Sequence, residues 1–195
     1  MKYHAIKLLN EKLYFSSKDV ADVLHIKEAS ARVLCTRYVK SGLFVRLKKD
    51  FYLLREKWER LKLEELLTIA NFLQVPSYIS LMTALSFYEV TTQVQRGFFE
   101  SVCIKRTAKY EVDSINFYFY KLKKELYFDF VKMDDIFIAT KEKAFLDAMY
   151  LYSFGKYSFD LDSIDLSKLD VKKIDELLKN FPEKTIKLVK RKCRI

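Results

Sequence analysis

The side chains with the most chemistry to offer are basic. Between Lys27 and Lys49 the chain carries Lys27, Arg32, Arg37, Lys40, Arg46, Lys48 and Lys49 against a single acid, Glu28. Ammonium and guanidinium groups gathered on short elements neutralise phosphates, and a guanidinium fork can also read a base edge. Raw material for catalysis is sparse. Neither of the two histidines, His4 and His25, has a metal ligand four residues on. Cys35, Cys103 and Cys193 are far apart, form no C-x-x-C pair and outline no disulfide framework. Three glycines are too few for a loop that cradles phosphates. Asp134-Asp135 is an adjacent carboxylate pair, but neighbours in a turn point apart and no histidine accompanies them. The expectation is a non-enzyme that needs no cofactor and no metal.

Composition fits that expectation. Of 195 residues half are apolar and 15% aromatic, enough for a packed core. Lys plus Arg number 36 against 26 Asp plus Glu, a formal net charge of +10 and a pI near 9.3. A balance so basic favours a polyanionic partner, nucleic acid before membrane. No apolar stretch approaches the roughly 18 residues of a membrane span, and charge interrupts the first twelve residues too often for a secretory segment. The expected compartment is the cytoplasm.

The elements that must position the basic residues occupy residues 1–58. Ile6, Leu9 and Leu13 share one face of a first helix. Ser16-Ser17-Lys18-Asp19 offers a serine cap with an acid three residues on, opening a short helix with Val20, Val23 and Leu24 inward. Lys27 to Ser41 makes a third helix, closed by Gly42. Leu43 to Leu47 and Phe51 to Leu54, around the turn Lys48-Lys49-Asp50, make a hairpin. This order predicts a winged helix-turn-helix. On the third helix Ala31, Leu34 or Cys35, Tyr38 and Val39 should face the core. Ser30, Arg32, Thr36, Arg37 and Lys40 then form an outward polar face suited to a major groove.

Residues 59–75 read as a linker helix with Leu61, Leu63, Leu66, Leu67 and Ala70 apolar. From residue 76 to 195 the pattern predicts an α+β domain, an antiparallel sheet flanked by helices. Pro76 breaks the chain and Ser77 caps a helix over Tyr78–Tyr88. Strands follow at Phe98–Ile104, Ser114–Tyr120, Leu126–Phe130 and Ile136–Ala139, then helices at Lys141–Ser153 and Val171–Asn180. Lys184 to Ile195 holds six basic residues and no acid.

Three segments in order carry a family resemblance. Pro76-Ser77-Tyr78-Ile79-Ser80-Leu81-Met82-Thr83-Ala84-Leu85-Ser86-Phe87-Tyr88 resembles the P-x-Y-I-S-x-x-S-A-L segment of AbiEi-type antitoxins. Ile138-Ala139-Thr140-Lys141-Glu142-Lys143-Ala144-Phe145-Leu146-Asp147 resembles their A-x-P-E-K-A-L-L-D segment. Leu43-Phe44-Val45-Arg46-Leu47 through Phe51-Tyr52-Leu53 resembles their wing. Asp50, Lys141 and Glu89 stand where the family has glycine, proline and glycine. The resemblance spans about Ser16 to Leu151. It implies a type IV toxin–antitoxin antitoxin whose N-terminal domain binds operator repeats in its own promoter. Its C-terminal domain would counteract an AbiEii-like nucleotidyltransferase toxin, with Lys141, Glu142, Lys143 and Asp147 as motif positions.

The candidate DNA contacts are Lys27, Ser30, Arg32, Thr36, Arg37, Lys40, Arg46, Lys48 and Lys49. Arg32, nearest the helix start, suits a base edge, while Lys40, Lys48 and Lys49 suit phosphate. Arg46 either faces DNA or solvates a strand. Glu142 and Lys143 read equally as ordinary capping and surface charge, with Asp147 an i,i+4 partner of Lys143. Phe117 to Tyr120 read as core plus cross-strand pairs before a base-stacking platform. His25 reads as structural and Cys35 as a buried small hydrophobe. The alternative function is a winged-helix regulator with a ligand-sensing or dimerising C-terminal domain and no toxin. Oligomeric state is not written in the sequence.

Overall fold

The computed structural model describes residues 2–93 and 95–193. The chain divides into two compact units, Met1–Leu66 and Leu67–Ile195, so the division falls within the stretch read as a linker helix.

The first unit begins with α1 (Lys2–Lys7), continued by one 3-10 turn. The first helix is thus shorter than the Ile6–Leu9–Leu13 spacing suggests. Ile6 and Leu9 are buried, and Leu13, beyond the helix, is only half-buried. A two-residue strand β1 (Phe15–Ser16) leads into α2 (Ser17–Leu24). A reciprocal cap starts this helix: Asp19 N–H donates to Ser16 Oγ at 3.3 Å, and Ser16 N–H donates to Asp19 Oδ2 at 2.7 Å. His25 ends it with left-handed backbone angles, φ 53°. α3 (Glu28–Lys40) follows. Gly42, at φ +76°, closes it, with Leu43 N–H reaching back to the Tyr38 carbonyl at 2.9 Å.

The hairpin is β2 (Phe44–Lys48) and β3 (Phe51–Leu54), and Asp50 holds φ 64° where the turn requires the left-handed region. Strand order is β1-β3-β2, all antiparallel, with a register shift between Arg46 and Lys48. Two residues fall below any periodicity window, so the sequence carries no signal for β1. Ile6, Phe15, Val20, Ala31, Cys35, Phe44 and Leu54 make the core. The Phe44 ring meets Phe15 and Tyr38, each with centroids 5.0 Å apart. The linker helix expected over 59–75 starts only at Leu63, as α5 (Leu63–Leu73), and a separate short helix, α4 (Arg55–Trp58), precedes it. Leu63 is exposed and Leu61 half-buried; Leu67, Ile69, Ala70, Asn71 and Leu73 are the buried positions.

In the second unit β4 (Ser77–Ile79) precedes α6 (Leu81–Phe87). This corrects the helix expected over Tyr78–Tyr88. The i, i+3 spacing of Ile79, Met82 and Leu85 mimics a helix, but Ser77, Tyr78 and Ile79 are buried together as a central strand covered on both faces. Then come β5 (Phe98–Cys103), β6 (Ala108–Val112), β7 (Ile115–Lys121), β8 (Phe130–Met133) and β9 (Ile136–Ala139). Part of the segment read as a strand over Leu126–Phe130 is a 3-10 turn, Lys124–Leu126.

The six strands are ordered β6-β7-β5-β4-β9-β8. The sheet is mixed, not antiparallel as expected: β5 with β7 and β4 with β9 run parallel. The cause is local. The chain passes from β5 to the outer strand β6, then turns tightly at Asp113 (φ 54°) so that β7 fills the gap antiparallel to β6 and hence parallel to β5. Asp134 (φ 50°) serves the β8–β9 turn in the same way. α7 (Lys141–Ser153), capped by Thr140, packs against α6, β9, α8 (Val171–Leu178) and α9 (Glu183–Cys193). Surrounded in this way, it is buried at every position from Glu142 to Leu151. The overall class is therefore α+β, with sheets flanked by helices. Arg194 and Ile195, the end of the basic tail, lie outside the described residues. Among the described residues no helix is long and apolar enough to cross a membrane.

Candidate functional site

The basic residues of the first unit are held outward by a helix whose other side is consumed by the core. Ala31 and Cys35 of α3 are completely buried, and Leu34, Tyr38 and Val39 pack against the same cluster. This fixes the helix in rotation. Lys27, Ser30, Arg32, Thr36, Arg37 and Lys40 are all exposed. Two apolar residues share that face: Ala29 and Val33, the latter 54% exposed. The 3–4 spacing of Ser30, Val33, Arg37 and Lys40 carries the sequence signal for Val33 on this face. A valine amid polar residues offers methyl contact of the kind that distinguishes thymine.

The face also holds its one acid. Glu28 Oε1 accepts from Arg32 Nη2 at 2.6 Å, an i,i+4 pair between side chains 45% and 63% exposed. Arg32 is thus oriented along the helix. Thr36 Oγ1 donates to the Arg32 carbonyl at 3.0 Å, which leaves its methyl group and lone pairs for any partner.

On the hairpin, Arg46 is exposed between buried Val45 and Leu47 and lies opposite Tyr52. Burial raises the Tyr52 phenol above its ordinary pKa, with Cys35 adding to the rise, while Arg46 and Arg32 both act against it. Lys49 is exposed at the tip. Lys48 is half-buried, its Nζ 5.5 Å from the Phe51 ring centroid, and burial lowers its pKa. The two tip lysines are not equivalent.

The motif residues of the second unit converge, but inward. Lys143 and Asp147 are both completely buried and form an ion pair. Asp147 Oδ2 accepts from Tyr78 OH at 3.0 Å and Ser80 Oγ at 2.8 Å, and Lys143 Nζ donates to Tyr78 OH at 2.9 Å. Lys143 Nζ also lies 5.0 Å from the Phe128 ring centroid. Burial raises the Asp147 carboxyl and lowers the Lys143 ammonium, each opposed by its partner. Glu142, only 3% exposed, accepts from the Asp170 backbone N–H at 3.1 Å and lies 3.6 Å from Lys173. Glu142 and Lys143 are therefore not surface charge. Of the four motif residues, Lys141 is the one whose side chain is substantially exposed, at 40%.

The remaining sequence candidates fall into place around these. Phe117 and Phe119 are core, whereas Tyr118 and Tyr120 on the other face are half-exposed. Cys35 is buried, which pushes its thiol up to about 11 and makes it unreactive. His25 is an exposed helix terminus. Among the described residues no group of three or more His, Cys, Asp and Glu is placed to hold a metal ion. The chain matches no family model and no curated protein.

Proposed function

We propose that the first unit is a winged helix-turn-helix that binds double-stranded DNA, with α3 in the major groove and the β2–β3 hairpin as the wing. The observation that carries this reading is the outward face of α3. Its inner side is locked by Ala31 and Cys35, its outer side presents Ser30, Arg32, Val33, Thr36, Arg37 and Lys40, and Arg46 is exposed on the hairpin that follows. Residues near the helix start read bases, and the distal lysines meet phosphate.

The chain's resemblance to AbiEi-type antitoxins supports operator repeats in its own promoter as the target and autoregulation as the consequence. It supports the second unit as the antitoxin half, acting against an AbiEii-like nucleotidyltransferase. The burial of Lys143 and Asp147 gives those two motif positions a supporting role in that unit, beneath any surface that serves a toxin.

The test is binding of the purified chain to its own upstream promoter fragment and to scrambled duplex at one fixed salt concentration. A preference of about 10³-fold or more, the range of specific sites, is expected. Equal affinity for both duplexes would reduce the basic face to a non-specific electrostatic footprint.

A further inference from the structure

On the face of the six-stranded sheet opposite Phe117 and Phe119, a cleft of about 670 Å³ opens over β5 and β7. That is within the size range of small-molecule sites. The parallel register places Phe98 beside Asn116 and Glu100 beside Tyr118, so alternate residues of both strands face the same way. Tyr118 and Tyr120 line the cleft together with Tyr157 and Phe159 from the loop after α7. Tyr120 meets Tyr157 edge to face at 5.3 Å, and Tyr157 stacks with Phe159 at 5.7 Å.

The floor consists of acceptors. Glu100 is 4% exposed, and its Oε2 accepts from Gln95 Nε2 at 3.1 Å and Tyr157 OH at 2.9 Å. Burial raises its pKa, and hydrogen bonds from Gln95, Tyr157 and the Met82 backbone only offset this. None of these partners is a cation, an unfavourable state for a buried carboxylate. Asn116 Oδ1 is also buried, with no hydrogen-bond partner among the described residues. Arg96 and Lys156 line the same cleft. The surroundings are thus acceptor-rich below, aromatic at the sides and cationic around them.

We propose that this cleft binds a nucleotide whose base presents N–H donors, guanine being the base with a ring N–H and an amino group adjacent on one edge. The base edge donates to Glu100 and Asn116 Oδ1, the ring stacks among the tyrosines, and the phosphate meets Arg96 and Lys156. Each part answers a feature of the cleft. Asn116 Oδ1, without a partner among the described residues, and Glu100, whose partners are all neutral, suit donors, flat aromatic walls suit a π-face, and two cations against one acid in the lining favour an anionic ligand. A free mononucleotide and an unpaired nucleotide within a strand share this chemistry. The inference is independent of DNA binding by the first unit.

The experiment titrates the full-length, isotope-labelled chain with GMP, with guanosine and with a short guanine-containing single strand, following backbone amide shifts. GMP is expected to give saturable shifts confined to residues 95–100, 114–120 and 156–159, with guanosine about tenfold weaker for want of the charged contacts. Glu100→Gln should weaken GMP about tenfold or more. Tyr118→Ala, at a half-exposed position, gives a second reading should Glu100→Gln disturb folding. Tighter binding of the strand than of GMP in the same residues would identify a strand as the source, and the reverse a free nucleotide. The proposal is overturned if GMP produces no saturable shift, or shifts confined to residues 27–49. Equal affinity for guanosine, or undiminished GMP binding by both variants, overturns it too.

Discussion

Tyr78 and Asp147, 69 positions apart in the chain, are joined by a 3.0 Å hydrogen bond in the completely buried interior of the second unit. The same tyrosine hydroxyl accepts from Lys143, so one phenol ties both members of a buried ion pair to the central strand. The segments 76–88 and 138–147, distant in the chain, are thus bonded to each other.

Removing either charge leaves the other buried and unpaired. Lys143→Met and Asp147→Leu should each cost about 3–5 kcal/mol of stability in the second unit. The double variant should cost clearly less than the sum, because no orphaned charge remains. Denaturant unfolding of the three variants measures both quantities, and strict additivity would show that the pair is not coupled.

Asp19 sets an acid limit for the first unit. Partial burial alone would raise its carboxyl, but hydrogen bonds from Lys12 and Ser16 bring it down to about 2 from an ordinary 3.8. The stabilisation is therefore complete above pH 3.8 and is lost as pH falls from there through about 2. Asp19→Ala should cost about 1–2 kcal/mol at neutral pH and remove this increment of acid sensitivity. Thermal melts of the two proteins between pH 2 and 7 should converge at the acid end.

Arg32 is restrained by its pair with Glu28, so the two should have opposite effects on DNA. Arg32→Ala should cost about 1–3 kcal/mol on operator DNA and relax sequence preference. Glu28→Ala should tighten binding by a factor of up to about five, because it frees the guanidinium and removes the acid from the face. Fluorescence anisotropy on promoter and scrambled duplexes separates the outcomes. Weaker binding by Glu28→Ala would mean that the pair holds Arg32 in its productive orientation.

Lys49 and Lys48 should differ although they are neighbours. Lys49→Ala should lower the slope of log K against log salt by about 1. Lys48→Ala, which removes a half-buried cation lying over Phe51, should act chiefly on hairpin stability. An equal change of slope for both would place the two ammonium groups equally on phosphate.

How far all this is legible in the sequence depends on whether a signal is local. The Ser16–Asp19 cap, the Gly42 terminus, the left-handed Asp50 and the limits of α7 are decided by residues within four positions of one another, and they can be read directly. The outward face of α3 follows from the spacing of Ala31 and Cys35. The β4 strand cannot be read this way, because Ile79, Met82 and Leu85 satisfy helical spacing and only the flanking strands decide otherwise. Nor can the burial of Lys143 and Asp147: an i,i+4 pair looks the same on an exposed helix as on one enclosed by three others. The alternation of Lys109 and Glu111 with Tyr110 and Val112 was a usable signal for β6. The cleft over Tyr118 and Glu100 was beyond reach, since it depends on a parallel register between strands not adjacent in the chain.

Three residues, Ser77–Ile79, join the two halves of the six-stranded sheet, with β5 on one side and β9 on the other. Their pairing with β9 closes a loop of nearly sixty residues, from Ile79 to Ile138. Long closures are slow, so the β5–β6–β7 and β8–β9 segments, each held by nearer contacts, can form before the central strand unites them. On that order, β4 is the joint through which the two halves become one cooperative body. Hydrogen exchange should reveal this as two groups of amides that open separately when the seat of β4 is loosened.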